Sequence, residues 1–486
     1  MAKIHLQMLS QEEKDEIHAA SLQILEQTGM QILEAEAREI LAGAGCRVEV
    51  GTGRVRFPPH VVETAVRKAP SEFLLYGRDP GRSVLMKPGQ VHFTTNGYAV
   101  QMYDPATGSR HAMTRADLAY ATRLADAMDQ LDLYSVIGTP HDVPAETNDR
   151  HQLAISLLNT TKHIWNTAYG REGVLDAIRM AAAVRGSREA LRRYPLFTLD
   201  LTTLSPLQLD ARQAGTMVAG AREGLPIGIS PGPIAGATGP VTLAGTLAQA
   251  NAEILGAITL VQSTNPGTAV IFTQYTRSLD MATGSVTMGG PEFSLLRVAT
   301  AEMAGYYNLP SRGGGLISDA KAADAQMGAE KMLNCVLSSL SGLTVLAGAG
   351  LVDFINTFRP DQLLIDNEII SSTRRLLEGI RIDSEAIAAE VIALVGPGGN
   401  YLAHEHTAAQ FRRELWFPKL WDRKPWPIWE QEGGRDVARR AADSLARLEH
   451  RPAALPADVE AEIWATVREA EAKVLDAGRP ATGGLG

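Results

Sequence analysis

Four aromatic side chains lie near the ends of apolar, β-rich runs, and their rings are the first candidates for chemistry. They are Tyr98, Trp165, Tyr275 and Phe354. Electron-rich rings grouped around an opening attract an organic cation, with about 0.5–2 kcal/mol for each well-placed ring. Plain core packing is the alternative for any one ring, since large aromatic residues are mostly buried. The four residues therefore indicate a cation site if the fold brings them together.

Arg312 is followed by three consecutive glycines, Gly313, Gly314 and Gly315. Glycines leave backbone N–H groups uncovered, so this run and the guanidinium are suited to receive an anionic group. The spacing lacks the G-x-x-x-x-G-K-[ST] pattern of a phosphate-binding loop. A tight turn explains the glycines equally well, and the sequence leaves both interpretations open.

Two histidines, His404 and His406, flank a glutamate. Residues two apart face different sides of a helix, so this spacing suits a helical metal site poorly. The H-E-x-x-H motif of zinc proteases is absent. A structural or substrate-contact role is the preferred interpretation. The alternative is a metal-dependent barrel lyase or hydrolase that uses these histidines with Asp319 and Glu368.

Common catalytic motifs are missing from the sequence. It has no G-x-S-x-G nucleophile motif, no G-x-G-x-x-G in a dinucleotide-binding unit and no kinase signature. Hydrolysis by a nucleophile, dinucleotide use and phosphoryl transfer therefore become less favoured. We assign no catalytic residue and no metal ligand to the chain itself.

Composition narrows the class of protein. The 486 residues are 45% hydrophobic and 21% charged, values typical of a soluble globular protein. A net charge of -9 makes nucleic acid an unfavourable partner, and no apolar run is long enough to span a membrane. The two cysteines cannot form a disulfide framework. The start of the chain lacks a signal-peptide core, so we expect a cytoplasmic protein.

Eight short β-rich runs alternate with helical stretches, which predicts an α/β fold with a closed (β/α)8 TIM-type barrel. The carboxyl ends of barrel strands form the active-site face, so strand-end residues such as Thr202, Thr203 and Ser230 join the candidates. The predicted strands are 131–138, 162–169, 195–203, 225–231, 267–275, 309–318, 342–350 and 362–368.

Three regions follow from this assignment. Residues 1–130 form an N-terminal extension of helices and a β-hairpin, in which D-P-A-T-G separates two alternating runs between 91 and 113. Residues 131–395 form the barrel. Residues 396–486 supply a loop and helices that pack on the barrel, and the final segment, 477–486, is expected to be mobile.

Taken together, several segments resemble the trimethylamine methyltransferase family over nearly the whole chain. The two most specific are GGGLISDAKAADAQMGAEKM (313–332) and GPGGNYLAHEHTAAQFRRELWFPKLWDR (396–423). Further segments are LSQEEKDEIHAASLQILEQTGM, RVRFPPHVVETAVRKAPSEFLLYGRDP (54–80), YDPATGSRHAMTRADLAYATRLADAMDQLD and NTTKHIWNTA (159–168).

The resemblance implies a barrel enzyme that moves a methyl group from a methylated amine to the Co(I) form of a corrinoid (cobalamin) on a separate corrinoid protein. Members that act on trimethylamine carry pyrrolysine, which this sequence lacks. The chain is therefore most similar to the non-pyrrolysine group, whose substrates are quaternary amines such as glycine betaine. This resemblance implies that the chain itself binds no cofactor, and we expect a homo-oligomer.

The resemblance and the strand-end rule together give a hypothesis for the site. The cation lies against Tyr98, Trp165, Tyr275 and Phe354. A carboxylate is received by the backbone of Gly313 to Gly315, by Arg312, or by His404 or His406. A non-catalytic betaine-binding protein remains the alternative outside the enzymes.

Segment 396–426, with its basic and aromatic residues, has two possible roles. It forms the rim of the barrel mouth where the corrinoid protein docks, or it packs on the barrel or on another subunit. The side chains in question are Arg412, Arg413, Trp416 and Trp421.

Overall fold

The computed structural model describes residues 4–476 of the chain. The expectation that segment 477–486 is mobile falls outside the described residues. No helix in the described part combines the length and the apolar character that crossing a lipid bilayer requires.

Eight parallel strands form the central barrel, which confirms the predicted fold class. In the sheet β1 neighbours β8, and the remaining strands follow in chain order from β8 back to β2. A parallel bridge between Thr94 and Leu133 brings the two ends of the sheet together and closes the ring. The strands are β1 (His92–Thr95), β2 (Tyr134–Ser135), β3 (Ile164–Asn166), β4 (Phe197–Leu201), β5 (Ile227–Ile229), β6 (Val270–Gln274), β7 (Ser311–Gly314) and β8 (Val345–Ala349).

The predicted strand at 362–368 is wrong. This segment lies inside a helix that buries Leu363, Asp366, Ile370 and Thr373, which recur at helical spacing. The missing barrel strand is β1, which lies in the same β-rich stretch of sequence as the hairpin that follows it. The other seven predicted segments each contain one barrel strand. The barrel therefore begins before residue 131, and the division drawn at residue 130 does not coincide with its edge.

Each barrel strand is followed by a helix on the outer face. α1 begins with a capping box, in which Thr114 and Asp117 exchange hydrogen bonds. A short helix, Arg188–Arg193, follows α3. The eight helices are α1 (Arg115–Ala127), α2 (Asn148–Asn159), α3 (Gly170–Arg185), α4 (Ala211–Arg222), α5 (Leu243–Thr264), α6 (Pro291–Tyr306), α7 (Ala325–Leu340) and α8 (Pro360–Glu378).

The N-terminal region covers the outside and the lower end of the barrel. Its helices are Gln11–Gln23, which continues as a π-turn at Ile24–Thr28, Ala35–Gly43 and Pro59–Lys68. Strands Met30–Ile32, Arg47–Val48 and Arg54–Arg56 form a small sheet with Gln208–Leu209. The hairpin Phe73–Leu75 with Val84–Met86 packs Leu75, Val84 and Met86 against the interior residues Trp165, Ile271 and Val345. This hairpin closes the end of the barrel where the strands begin.

The predicted hairpin around D-P-A-T-G is confirmed. Gln101–Asp104 pairs antiparallel with Ser109–Ala112, and Gly108 adopts a positive φ of 71° in the turn. The hairpin joins strands Leu351–Val352 and Thr357–Phe358 above β8. A second small sheet at the same end contains Ile234–Ala235, Arg277–Leu279 and Val286–Thr287. Short 3-10 turns occur at Pro80–Arg82 and Ala145–Thr147.

The C-terminal region runs along the outside of the barrel. Its helices are Ser384–Ile387, Ala389–Val395, Glu405–Glu414, Trp426–Gln431, Val437–Leu445 and Ala457–Asp476. The last of them lies on α2 and α3, where Glu471 hydrogen-bonds His151 at 2.9 Å and Glu462 pairs with Arg179 at 2.7 Å.

Candidate active site

A cavity of about 380 Å³ opens at the end of the barrel where the strands terminate, a volume within the usual range for small-molecule sites. Its walls come from the loops after β1, β4, β5 and β6 and from the hairpin region above β8. The strand-end residues Thr202, Thr203 and Ser230 line it, as do Tyr98 and Tyr275. The barrel therefore presents its candidate site on the face that the strand-end rule predicts.

Asp200 supplies a carboxylate to the cavity. One of its oxygens accepts a hydrogen bond from the Ser230 hydroxyl at 2.8 Å, and the other lies 3.7 Å from Nη1 of Arg312. The Asp200 side chain is 10% exposed and that of Arg312 is fully buried, so the ion pair is sheltered from solvent. Asp200 is thus a partly neutralised anion, which attracts a cation without binding it as strongly as an isolated charge.

Arg312 lies beneath the cavity and does not line it. Its guanidinium stacks on the Trp165 ring, with 4.3 Å from Cζ to the ring centroid, and lies 5.5 Å from the centroid of Tyr275. Nη2 donates to Asn96 at 3.1 Å and to Ser135 at 3.0 Å. Nε and Nη1 make no hydrogen bond within residues 4–476. The guanidinium is nevertheless enclosed by the two rings, by Asn96 and Ser135, and by Asp200 at 3.7 Å, so Arg312 supports the floor of the site.

Trp165 is shielded from the cavity by Arg312. Its ring is 1% exposed and belongs to the cluster that closes the lower barrel. A Cβ at Gly228 would come within 2.2 Å of this ring, so the glycine provides the space that the indole fills. The prediction that Trp165 contacts the ligand is therefore not supported by its position.

Tyr275 is held in place by two neighbours. Its hydroxyl donates to Asn96 at 3.2 Å, and Arg297 donates to the backbone carbonyls of Gln274 and Thr276 on either side. Burial raises the pKa of Tyr275 to about 12, so the ring faces the cavity as a neutral phenol.

Tyr98 enters the cavity wall from the loop after β1 with a positive φ of 73°. This left-handed conformation costs a residue with a side chain about 1–2 kcal/mol, and it directs the chain between β1 and the hairpin. Burial raises the pKa of Tyr98 well above its ordinary value, and the nearby Asp200 carboxylate adds to this shift. The cavity therefore contains two neutral phenol rings and one carboxylate.

The loop after β4 is anchored by Glu253 of α5, which is fully buried. One Glu253 oxygen accepts from the hydroxyls of Thr203 at 2.5 Å and Ser205 at 2.9 Å. The other accepts from the Leu207 backbone N–H at 3.0 Å. Helix α4 starts only after Asp210, whose side chain caps it. Residues 202–205 consequently remain a cavity-lining loop.

Arg277 also lines the cavity and was not identified from the sequence. It begins the short strand that follows Tyr275, and its backbone pairs with Ile234. Its Nε is buried without a hydrogen-bond partner within residues 4–476. Burial lowers the pKa of Arg277 from its ordinary value, because the charged form loses hydration. No local sequence signal marks it, since its importance depends on what surrounds it.

Gly313, Gly314 and Gly315 lie where neighbouring side chains leave no room for a Cβ atom. A Cβ at Gly313 would meet Arg297 at 3.0 Å, one at Gly314 would meet Ile317 at 2.5 Å, and one at Gly315 would meet Leu346 at 2.6 Å. The Gly315 N–H donates to the Ala347 carbonyl at 2.8 Å. The interpretation of this run as a tight structural segment is favoured, since its faces are filled by side chains of the protein.

Phe354 lies behind the cavity wall. It packs on the cluster of Met288, Phe293 and Ile317, and the Lys321 ammonium lies 4.6 Å from its ring centroid. Met288 and Ile317, not Phe354, reach the cavity.

His404 and His406 belong to the C-terminal segment and are not among the residues that line the cavity. Nδ1 of His404 accepts from the His406 backbone N–H at 3.1 Å and so caps the helix Glu405–Glu414. The structure gives His404 a helix-capping contact, which agrees with a structural role.

The two carboxylates proposed as alternative metal ligands accept hydrogen bonds from other parts of the protein. Asp319 accepts from Thr287 and from the Met288 backbone, and Glu368 accepts from the backbone of Leu420 and Trp421. Within residues 4–476, His, Cys, Asp and Glu form no cluster of three or more that suits a metal ion.

Segment 396–426 does not form the rim of this cavity. Trp416 donates to Ser371 at 2.9 Å, and Arg375 donates to the Glu414 carbonyl at 2.8 Å, so the segment follows the second half of α8. Since α8 runs away from the strand ends that surround the cavity, this part of the segment lies towards the opposite end of the barrel.

Comparison with known proteins gives consistent relatives. The model of the family described as trimethylamine methyltransferase (MTTB) matches residues 2–474. The trimethylamine methyltransferase MttB of Desulfitobacterium hafniense is 36% identical over 95% of this chain and 93% of its own length. MttB1 of Methanosarcina acetivorans is 33% identical over 96% of both chains. A glycine betaine methyltransferase of D. hafniense is 32% identical over 95% of this chain and 96% of its own.

A solved structure agrees with the fold. The crystal structure of a hydroxylamine complex of MtmB superposes with a TM-score of 0.50 over 96% of this chain and 92% of that chain. At 15% identity, this similarity speaks for the shared barrel architecture alone.

Proposed function

Because this chain belongs to the trimethylamine methyltransferase family and is therefore a methyltransferase, we propose that it takes a methyl group from a quaternary amine such as glycine betaine and transfers it to the Co(I) corrinoid of a separate corrinoid protein. The family establishes methyl transfer. The quaternary donor and the corrinoid acceptor are the proposed parts.

One observation carries the choice of donor: two neutral phenol rings and a partly neutralised carboxylate share the cavity at the barrel mouth. Tyr98 and Tyr275 contribute aromatic rings that attract a cation, and Asp200 contributes a negative charge. A permanently charged ammonium group fits this combination. The Arg312 guanidinium beneath Asp200 limits the attraction, which favours catalysis because the positive charge leaves the nitrogen as the methyl group departs.

The chemistry of the donor agrees with the residues that line the cavity. When a quaternary amine loses a methyl group, the C–N bond breaks and its electron pair stays on nitrogen, which leaves as a neutral tertiary amine. Co(I) supplies the electron pair for the new Co–C bond. No proton has to be delivered and no protein nucleophile is required, so the protein contributes orientation and the exclusion of water.

Sequence identity does not by itself choose between donors, since trimethylamine and glycine betaine methyltransferases are related to this chain at 36% and 32%. The family resemblance implies that pyrrolysine accompanies trimethylamine as donor. The absence of that residue from the printed sequence therefore supports a quaternary donor.

A direct assay tests this function. Purified protein is mixed with reduced cob(I)alamin and a panel of methylated amines, and the absorbance of methylcobalamin is followed. We expect transfer from quaternary amines and none from trimethylamine. Asp200→Asn should lower kcat/KM by about tenfold or more, because it removes the negative charge at the cation site.

The matched control is Asp15→Asn, which removes a carboxylate from the exposed surface of the helix Gln11–Gln23 and should leave the rate unchanged. Transfer from trimethylamine alone, or from no amine with intact protein, would contradict the proposal.

A further inference from the structure

Arg277 brings an uncompensated positive charge to the cavity wall. It is half-buried, and its Nε has no partner among residues 4–476. Desolvation is the cause that shifts its pKa, with no neighbouring carboxylate acting in the opposite direction. Burying a guanidinium without a counter-ion is unfavourable, so an anion that enters the cavity gains a strong interaction there.

The two ionised side chains of the cavity wall differ in their partners. Asp200 is already satisfied by Ser230 and approached by Arg312. Arg277 lines the same cavity, yet no ion pair joins it to Asp200 or to another acidic residue of the described chain within 4.0 Å. The cavity is therefore bipolar: a region for a cation beside Asp200 and the phenols, and a separate region for an anion at Arg277.

We propose that Arg277 receives the carboxylate of the substrate and makes the cavity selective for zwitterionic quaternary amines. This inference rests on the proposed function and specifies its substrate class. The planar guanidinium offers paired N–H donors that match a carboxylate. The quaternary nitrogen then lies against Tyr98, Tyr275 and Asp200, and the carboxylate fixes which methyl group points out of the barrel. Arg277 thus takes the role that the sequence predicts for Arg312, for the glycine run, or for the histidines.

Binding to the protein alone tests this role without any methyl acceptor. Isothermal titration calorimetry compares glycine betaine with tetramethylammonium, which has the cation but no carboxylate. Arg277→Gln should reduce the preference for glycine betaine over tetramethylammonium by about tenfold or more, the usual effect of losing a charged hydrogen-bonded pair. Arg277→Lys keeps the charge without the paired donors and should recover part of the preference.

Arg188→Gln serves as the matched control, since Arg188 is an exposed arginine paired with Glu223. It should leave the preference unchanged. An equal loss of affinity for both ligands in Arg277→Gln, or no loss for glycine betaine, would overturn the proposal.

The methyl-transfer assay separates this inference from the function on which it rests. If intact protein methylates cob(I)alamin from tetramethylammonium and glycine betaine with the same kcat/KM, methyl transfer stands and the role of Arg277 fails. If the calorimetric preference behaves as expected but no methyl group reaches cobalt, the carboxylate site stands and the proposed reaction fails.

Discussion

At the scale of single residues, buried charges are placed where they organise the site and the barrel around it. Arg312 is stacked between Trp165 and Tyr275. Its ion pair with Asp200 weakens the negative electrostatic potential that Asp200 produces in the cavity. Such stacking suits arginine because its planar, weakly hydrated guanidinium tolerates contact with aromatic faces. Lysine could not provide the same contacts with Asn96 and Ser135 from one flat group.

Lys162 is a second buried cation, and its titration should be visible in the stability of the protein. It is 1% exposed and donates to the carbonyls of Ala125 and Met128 at the end of α1. Burial lowers its pKa to about 7. Between that value and the ordinary lysine range, the unfolded chain binds a proton that the folded protein does not. The free energy of unfolding should therefore rise with pH in this window.

The test of this linkage compares the wild type with Lys162→Met in urea unfolding at pH 7.5 and pH 9.5. Relative to the variant, the wild type should gain about 1.4 kcal/mol per pH unit, or about 2–3 kcal/mol in total. Parallel pH dependences of the two proteins would show that Lys162 does not titrate in this range.

Individual site residues could be predicted from the sequence only where their position relative to a barrel strand is enough to place them at the cavity. Tyr275 reaches the cavity because it directly follows β6, and Tyr98 reaches it from the loop that begins at the end of β1. Trp165 lies within β3, and only the three-dimensional contact with Arg312 shows that it is covered. Arg277 could not be predicted as a site residue, because the absence of a hydrogen-bond partner for its Nε is visible only in the folded protein.

At the scale of elements, the cavity depends on how its loops are attached to the barrel helices. The loop after β4 has little regular structure, and Glu253 supplies acceptors for its hydroxyl and backbone donors. One helix side chain thus determines the position of a large part of the cavity wall.

Glu253→Ala should lower both stability and methyl transfer. Loss of the buried carboxylate leaves the donors of Thr203, Ser205 and Leu207 unsatisfied, which should cost about 2–4 kcal/mol in the free energy of unfolding. The loop should then lose its fixed position and kcat/KM should fall. Thermal unfolding and the cob(I)alamin assay measure the two effects.

Glu469→Ala is the control for this change, because it removes a solvent-exposed glutamate that pairs with Arg179. Surface ion pairs contribute little, so both measurements should stay at the wild-type level. Wild-type stability in Glu253→Ala would contradict the anchoring role.

The two errors in the strand assignment, the missed β1 and the false strand at 362–368, have local causes. β1 is a four-residue run that lies close to a true hairpin, so the sequence shows one continuous β-rich segment. The segment 362–368 has a short apolar run, and such runs do not distinguish a buried strand from a buried helix.

At the scale of the whole molecule, residues 380–430 leave a large apolar surface uncovered. Among residues 380–430 only Leu420 is buried, although the segment forms four short helices. Leu394 is 78% exposed, Leu402 84% and Trp426 69%. Apolar patches of this kind mark interaction surfaces.

We expect this surface to join copies of the chain. The segment carries six basic and seven acidic residues, so its near-neutral charge permits contact between chains that each carry a net charge of -9. Much of it also lies away from the barrel mouth, where the proposed corrinoid protein would have to deliver its cobalt. Size-exclusion chromatography with light scattering should show an oligomer that Leu402→Glu dissociates.

Val50→Glu provides the control, since Val50 is 99% exposed on a different part of the surface. A monomeric wild-type protein, or equal dissociation by both changes, would show that the segment has another role.

The pairing of β1 with β8 sets a condition on how the protein is made. These two strands touch in the finished ring, yet the second of them ends only at Ala349. While the ribosome is still producing the intervening residues, β1 has no neighbour on that side, and its unpaired edge is open to chance association with other nascent chains. Newly made protein should therefore be most prone to aggregation before translation has passed the eighth strand.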